Sequence, residues 1–142
     1  MKNTKHLVAL TTLLTSLASP SIFAEELVAV ITNIKEVKGS LYVSLYNNEA
    51  NFQRNENPVT RKKVNVDATT MNVSLGDLPS GEYALKAYHD ENDNGRLDFS
   101  NTGAPSESFG SSGISKELAP PTYNEAKIAF SKSQKVNINL LR

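Results

Sequence analysis

Cysteine and tryptophan are both absent from the 142 residues, and neither sign of charge is in excess. Without cysteine the chain cannot form a disulfide, use a thiol nucleophile or hold zinc or an iron–sulfur cluster through sulfur. Fifteen Lys and Arg residues balance fifteen Asp and Glu residues, so no strongly charged partner is indicated. No basic stripe or RNA-binding motif is present, and we expect no nucleic-acid partner. Apolar runs of roughly 20 residues are also missing, so we expect no transmembrane span.

The first 24 residues have the order of a secretory signal peptide. A basic start is followed by a short apolar run at 7–17, diluted by threonines, and Ala24 is a small residue suited to signal peptidase. The apolar run is too short to cross a bilayer. We therefore expect residues 1–24 to be removed, residues 25–142 to form one domain, and the mature protein to be periplasmic or secreted.

Alternation of apolar and polar residues with period two dominates the rest of the chain, as in half-buried β-strands. The predicted strands are 26–34, 40–47, 60–66, 70–75, 82–89, 126–131 and 135–141. About seven short strands, frequent turn residues and no long amphipathic helix predict an all-β fold, a single β-sandwich of the immunoglobulin-like or transthyretin-like kind. The last two strands are predicted to pair as a closing hairpin.

Residues 90–125 interrupt this pattern with a long segment rich in Gly, Ser, Pro, Asn and Asp. Irregular segments of this length are uncommon in compact domains and are mostly functional or disordered. Because this one returns to the final pair of strands, we expect it to be an ordered loop that packs on the sandwich.

The segment opens with an acidic loop that has the ligand spacing of a calcium site. From Asp90 to Asp98 the sequence reads D-x-N-x-N-G-x-x-D, which offers an oxygen at every second residue and a glycine where the chain must turn. The predicted ligands are the side chains of Asp90, Asn92, Asn94 and Asp98, the main-chain carbonyl of Arg96 and, folding back from further along the chain, the carboxylate of Glu107. The pattern departs from an EF-hand in two respects, since Asn101 replaces the glutamate at position 12 and a strand leads into the loop.

The same residues allow other interpretations. The acidic loop could be a surface turn whose Asp and Asn side chains bond to their own backbone, although this leaves unexplained why four acids occur in nine residues with only Arg96 to compensate them. Neighbouring carboxylates on one tight loop cannot face each other across a sugar, as glycoside hydrolysis requires. His89 shares strand parity with Leu85 and Ala87, which favours a structural role over a catalytic one.

Several segments together resemble a known family. They are Gly-Glu-Tyr-Ala at 81–84, the run H-D-x-N-x-N-G-x-L-D at 89–98, the run G-x-P-x-E-x-x-G at 103–110, and Pro-Pro at 120–121 ahead of Glu-Ala at 125–126. The pattern is similar to that of the bacterial secreted proteins grouped as domain of unknown function 2141, over nearly the whole chain after residue 24. The resemblance implies a small exported β-sandwich and supplies no activity.

These observations favour an exported, non-enzymatic β-sandwich with a calcium-binding loop and a binding or structural role at the cell envelope. An envelope protein or a glycan is the expected kind of partner. The alternative is an enzyme, or an accessory subunit of one, that acts on envelope material. A binding role requires an exposed apolar or aromatic patch. Tyr42, Tyr46 and Tyr88 stand at positions that could form such a patch or could face the second sheet.

Overall fold

A computed structural model describes residues 25–113 and 121–142. The predicted signal peptide lies outside these residues. The strands are β1 Glu25–Thr32, β2 Ser40–Tyr46, β3 Thr60–Asn65, β4 Met71–Leu78, β5 Gly81–Asp90, β6 Phe109–Ser111, β7 Ile128–Phe130 and β8 Gln134–Asn139, and the helices are α1 Glu49–Arg54 and α2 Tyr123–Ala126. All seven predicted strands are present, and β6 is an additional one inside the long 90–125 segment.

The described residues form two sheets, which confirms the predicted all-β sandwich. The three-stranded sheet has the order β4-β1-β8, with β1 antiparallel to β4 and parallel to β8. The larger sheet has the order β3-β2-β5-β6, and β7 also pairs with β5. Since β6 joins this sheet, the described part of the long segment packs on the sandwich as expected.

The predicted closing hairpin is wrong. β7 pairs with β5, whereas β8 pairs with β1 in the other sheet, so the short turn between them crosses from one sheet to the other. The reason lies in the length of β5, which has ten residues. β6 pairs only with residues 86–88, and β7 satisfies the backbone groups of residues 81–83 on the same edge.

The core lies between the two sheets and contains the residues that alternation placed on the inner face. The fully buried members are Leu27, Ala29, Ile31, Leu41, Val43, Leu45, Leu85, Ile138 and Leu140. Burial of each large aliphatic side chain stabilises the fold by roughly 1.5–3 kcal/mol. Within the described residues, no helix is long and apolar enough to cross a membrane.

The two short helices cover one end of the outer face of the larger sheet. Tyr46 of β2 is 1% exposed there and packs edge-on against Phe52 of α1, which in turn contacts Tyr123 of α2. Asn48 caps α1 by accepting a hydrogen bond from the Asn51 backbone N–H. Helices of six and four residues are too short to produce a helical period, which is why the sequence did not reveal them.

Candidate functional site

Asp90, the last residue of β5, closes the acidic loop. Its side chain is completely buried, its Oδ1 accepts a hydrogen bond from the backbone N–H of Asn94 at 3.0 Å, and its Oδ2 accepts one from Gly95 at 2.7 Å. Gly95 has φ 84°, a left-handed conformation that costs glycine little. The loop therefore wraps around the carboxylate of Asp90.

The alternate asparagines of the loop converge on Asp98. Asn92 Oδ1 accepts from the Asn94 backbone N–H, and Asn94 Oδ1 accepts from the Arg96 backbone N–H. Their amide nitrogens donate to the same oxygen of Asp98, at 2.8 Å and 2.7 Å. The pKa of Asp98 is lowered, with the hydrogen bond from Asn92 as the largest cause. The Arg96 side chain also pairs with Asp98, at 3.1 Å.

Glu107 folds back onto the loop from outside it. Its Oε1 accepts a hydrogen bond from the Glu91 backbone N–H at 2.8 Å, and its Oε2 accepts one from the Asp98 backbone N–H at 3.0 Å. The side chain is 5% exposed. Glu107 thus joins the first and last parts of the loop, next to the other predicted ligands. Its role as a metal ligand stays a prediction.

The donor set fits a hard cation in type but not in arrangement. Every predicted ligand atom is an oxygen, and calcium takes six to eight oxygens. Asp90 and Glu107 are buried carboxylates, and neither takes part in the ion pairs found in the described part of the chain. Among those same residues, however, no three His, Cys, Asp or Glu side chains are grouped closely enough to hold an ion. The loop is closed by its own hydrogen bonds.

A groove of ≈ 660 Å³ lies beside the loop, on the outer face of the larger sheet. Strand register places its floor in two rows across the sheet. The first row is Arg61, Ser44, Lys86 and Ser111, and the second contains Tyr88 and Phe109. Leu97, Phe99 and Pro105 of the long segment line one side, and Gln53 and Asn55 at the end of α1 line another.

The tyrosines predicted to form a patch divide between two environments. Tyr42 and Tyr88 stack on the outer face, with ring centroids 4.9 Å apart and nearly parallel planes. Tyr88 donates a hydrogen bond to the carbonyl of Gly95 at 3.1 Å, and burial raises its pKa to about 12. Tyr46 is buried under the helices and is not part of an exposed patch. Tyr88 therefore connects the floor of the groove to the acidic loop.

Residues 29–139 match the model of a family described as an uncharacterized protein conserved in bacteria, DUF2141. The chain belongs to this family. No curated protein and no solved structure matches the chain. The family description names no activity. The resemblance identified from the sequence is confirmed.

The segments that carried the family resemblance have identifiable structural roles in this DUF2141 member. Asp90, Gly95 and Glu107 shape the loop as described above. Gly110 allows β6 to approach β8, because a Cβ there would lie 2.7 Å from the carbonyl oxygen of Asn139. Pro105 forms an isolated bridge with Phe99, which turns the long segment back on itself beside the groove.

Sequence reasoning missed Lys86, the most unusual cation of the groove. It is half-buried, and its Nζ donates to the carbonyl of Phe52 at 2.6 Å and to Asn55 Oδ1 at 2.7 Å. The ammonium also lies 4.1 Å from the centroid of the Phe52 ring. Burial lowers the pKa of Lys86 to about 8. The available signal was a lysine between Leu85 and Ala87, in the middle of a stretch that is otherwise apolar and aromatic from residue 83 to residue 88.

His89 lies away from the groove, on the inner face of β5. It is completely buried, and its Nε2 is 2.7 Å from the carbonyl oxygen of Lys38. Within the described part of the chain, its Nδ1 and the Ser108 hydroxyl are buried without a hydrogen-bond partner. This placement is consistent with the structural role predicted for His89.

Proposed function

We propose that this protein is an exported, non-enzymatic binding protein of the cell envelope whose loop from Asp90 to Asp98 takes up a calcium ion. The observation that carries the calcium proposal is the burial of Asp90 and Glu107. Both carboxylates are at least 95% buried, and backbone N–H groups are their only described hydrogen-bond donors. A buried carboxylate without a cation is costly, and a divalent ion would compensate two of them at once.

Calcium binding would require the loop to exchange some of its hydrogen bonds for metal ligation. The amide nitrogens of Asn92 and Asn94 now face Asp98 Oδ2, so both side chains would turn their oxygens toward the ion. The backbone N–H bonds to Asp90 and Glu107 can remain, because each carboxylate oxygen has a second lone pair. The carbonyl of Arg96 completes the predicted set. Such a site would belong to the weaker calcium sites, with dissociation constants of roughly 10⁻⁴–10⁻³ M.

The binding role is supported by the groove beside the loop. A volume of ≈ 660 Å³ is in the range of small-molecule sites. Residues 95–105 form one side of it, so an ion that orders the loop would also order that side of the groove. The signal-peptide pattern supports a place at the envelope or in the medium. For the alternative, an enzyme acting on envelope material, the sequence offered His89 as a base, and its complete burial on the inner face argues against that role.

Thermal unfolding of residues 25–142 in EDTA, in calcium and in magnesium tests the calcium proposal. At an ion concentration about ten times the dissociation constant, binding stabilises the native state by roughly 1.4 kcal/mol. For a domain of this size we expect calcium to raise Tm by about 5 °C. Magnesium should do much less, because it demands a smaller octahedral shell and gives up its water reluctantly.

Two variants sharpen this test. Asp98→Asn keeps the size of the side chain but removes its charge, so it should abolish most of the calcium response. Asp77→Asn, an exposed residue of β4, is the matched control and should respond like the wild type. Superimposable wild-type melts with no heat of calcium binding by calorimetry would refute the proposal and leave the loop as a hydrogen-bonded turn.

A further inference from the structure

The groove contains a positive charge that the described residues do not neutralise. Lys86 Nζ bonds to two neutral acceptors, and none of the ion pairs within 4 Å in the described ranges includes it. An ammonium has three donors, so the acceptors found among residues 25–113 and 121–142 leave one donor for a further acceptor. Partial burial makes an unpaired charge unfavourable. Its lowered pKa, about 8, is the consequence of that desolvation.

The described side chains that line the groove around Lys86 add further positive charge. Arg61 stands in the same cross-strand row, two strands away, and its Nε donates to Ser44 Oγ at 2.9 Å. Arg96 also lines the groove from the loop side, where its side chain pairs with Asp98 at 3.1 Å, so Arg61 is the added cation without an acidic partner among the described ion pairs. Among the described residues that line the groove, none is acidic. The groove therefore has the electrostatic character of an anion site.

The other half of the groove is flat and apolar. Tyr88 and Phe109 are cross-strand neighbours on the floor, one row from Lys86. Phe99 is 61% exposed at the side, the most exposed large hydrophobic residue in the described ranges. An aromatic or planar ligand body would bury part of this surface, and ring contacts of this kind add roughly 0.5–1.5 kcal/mol beyond area burial.

We propose that the groove binds a small organic carboxylate with a flat aromatic body, its carboxylate against Lys86 and Arg61 and its ring against Tyr88, Phe109 and Phe99. This proposal names the ligand class for the binding role proposed above and does not depend on calcium. A carboxylate would accept a hydrogen bond from the remaining donor of Lys86. Its negative charge would balance the positive charges of Lys86 and Arg61. The aromatic side chains would favour such a ligand over an inorganic anion, because an inorganic anion has no apolar surface to bury against them.

Titration with 2-naphthoate and with its neutral analogue 2-naphthamide tests this assignment by calorimetry and by NMR shifts of β5 and β6 amides. We expect the naphthoate to bind more tightly than the amide and inorganic phosphate to compete poorly. Lys86→Met keeps the length of the side chain and removes the charge, so it should weaken naphthoate at least tenfold and leave the amide unchanged. Lys62→Met is the matched control: Lys62 is exposed on the opposite face of β3 and should not matter.

The pH dependence provides a readout that a merely structural role would not produce. Naphthoate stays ionised above about pH 6, so a change in its affinity reports on the protein. With a free-state pKa of about 8 for Lys86, affinity should be flat below about pH 7 and fall about tenfold by pH 9. Lys86→Arg keeps its charge in this range and should show a flat profile.

Three results would overturn the proposal. They are equal affinity for the amide and the carboxylate, equal losses in Lys86→Met and Lys62→Met, and full competition by phosphate alone. Melts of each variant establish that it is folded. The calcium response of Lys86→Met should equal that of the wild type, because the change leaves the loop intact. If naphthoate does not bind as expected but the calcium response is normal, only the ligand assignment is refuted.

Discussion

Replacing Glu107 by glutamine should destabilise the fold far more than a single isosteric change on a surface would. The Glu107 carboxylate accepts a hydrogen bond from the backbone N–H of Glu91 through Oε1 and another from the backbone N–H of Asp98 through Oε2. Glutamine has one acceptor oxygen, and its other terminal atom is an NH₂ donor. In either orientation, one partly buried N–H of the loop would face a donor instead of an acceptor.

The magnitude follows from the two losses. A hydrogen bond to a charged group contributes about 1.5–3 kcal/mol, and a buried donor left unsatisfied costs about 1–3 kcal/mol. Removing a buried charge offsets part of this cost. We expect Glu107→Gln to lower the free energy of unfolding by about 2–4 kcal/mol, which corresponds to a fall in Tm of roughly 10 °C for a domain of this size.

Calorimetric melts in EDTA measure this effect without any contribution from calcium. Glu56→Gln is the control, because Glu56 is an exposed residue whose side chain pairs only with Arg54 in the described contacts. Its Tm should stay within about 2 °C of the wild type, since exposed ion pairs contribute little. If the Tm of Glu107→Gln also stayed within about 2 °C of the wild type, the hydrogen bonds of Glu107 would not be stabilising the loop. The Glu107→Gln protein should also lose most of its response to calcium.

Three further outcomes are expected. Gly39→Ala should unfold the protein or cost several kcal/mol, because Gly39 has φ 66° and its Cβ would collide with the main-chain oxygen of Asp90; an unchanged Tm would contradict this packing. His89→Gln should cost about 1–3 kcal/mol in a melt, since His89 is completely buried and contacts a backbone carbonyl, and it should leave naphthoate binding intact. Intact-mass measurement of the exported protein should give a chain that starts at Glu25, and recovery of the full-length chain would disprove cleavage there.

The fold was predictable where alternation was regular. Leu41, Val43 and Leu45 face the core as their spacing indicated, and all seven strands were located. Strand pairing was less accessible, because period two tells which face a residue occupies and not which strand lies beside it. For this reason β7 and β8 were wrongly predicted to pair with each other. Their partners depend on the length of β5, which leaves an edge for β7 beyond β6.

The candidate site was predictable where it depended on local spacing. The loop from Asp90 to Asp98 closes on itself through bonds between residues two to six apart, which a sequence motif can encode. The return of Glu107 to the loop was predicted from the chemistry of its carboxylate and not from spacing, and the structure places Glu107 against the loop. The groove could not be found in this way, because its floor joins Arg61, Lys86 and Ser111 from three separate strands. Only register across the sheet makes them neighbours.

β5 explains why the loop and the groove lie together. Lys86, Tyr88 and Asp90 are two residues apart, so their side chains leave the same face of the sheet at intervals of about 6.6 Å. Lys86 meets the end of α1, Tyr88 stacks on Tyr42, and Asp90 closes the loop. The Tyr88 hydroxyl donates a hydrogen bond to the carbonyl of Gly95, so a shift of the loop would also disturb the floor of the groove. One strand thus carries a cation, an aromatic ring and an anion side by side. Two proposed binding chemistries therefore fit on a domain whose inner face is fully used by the core.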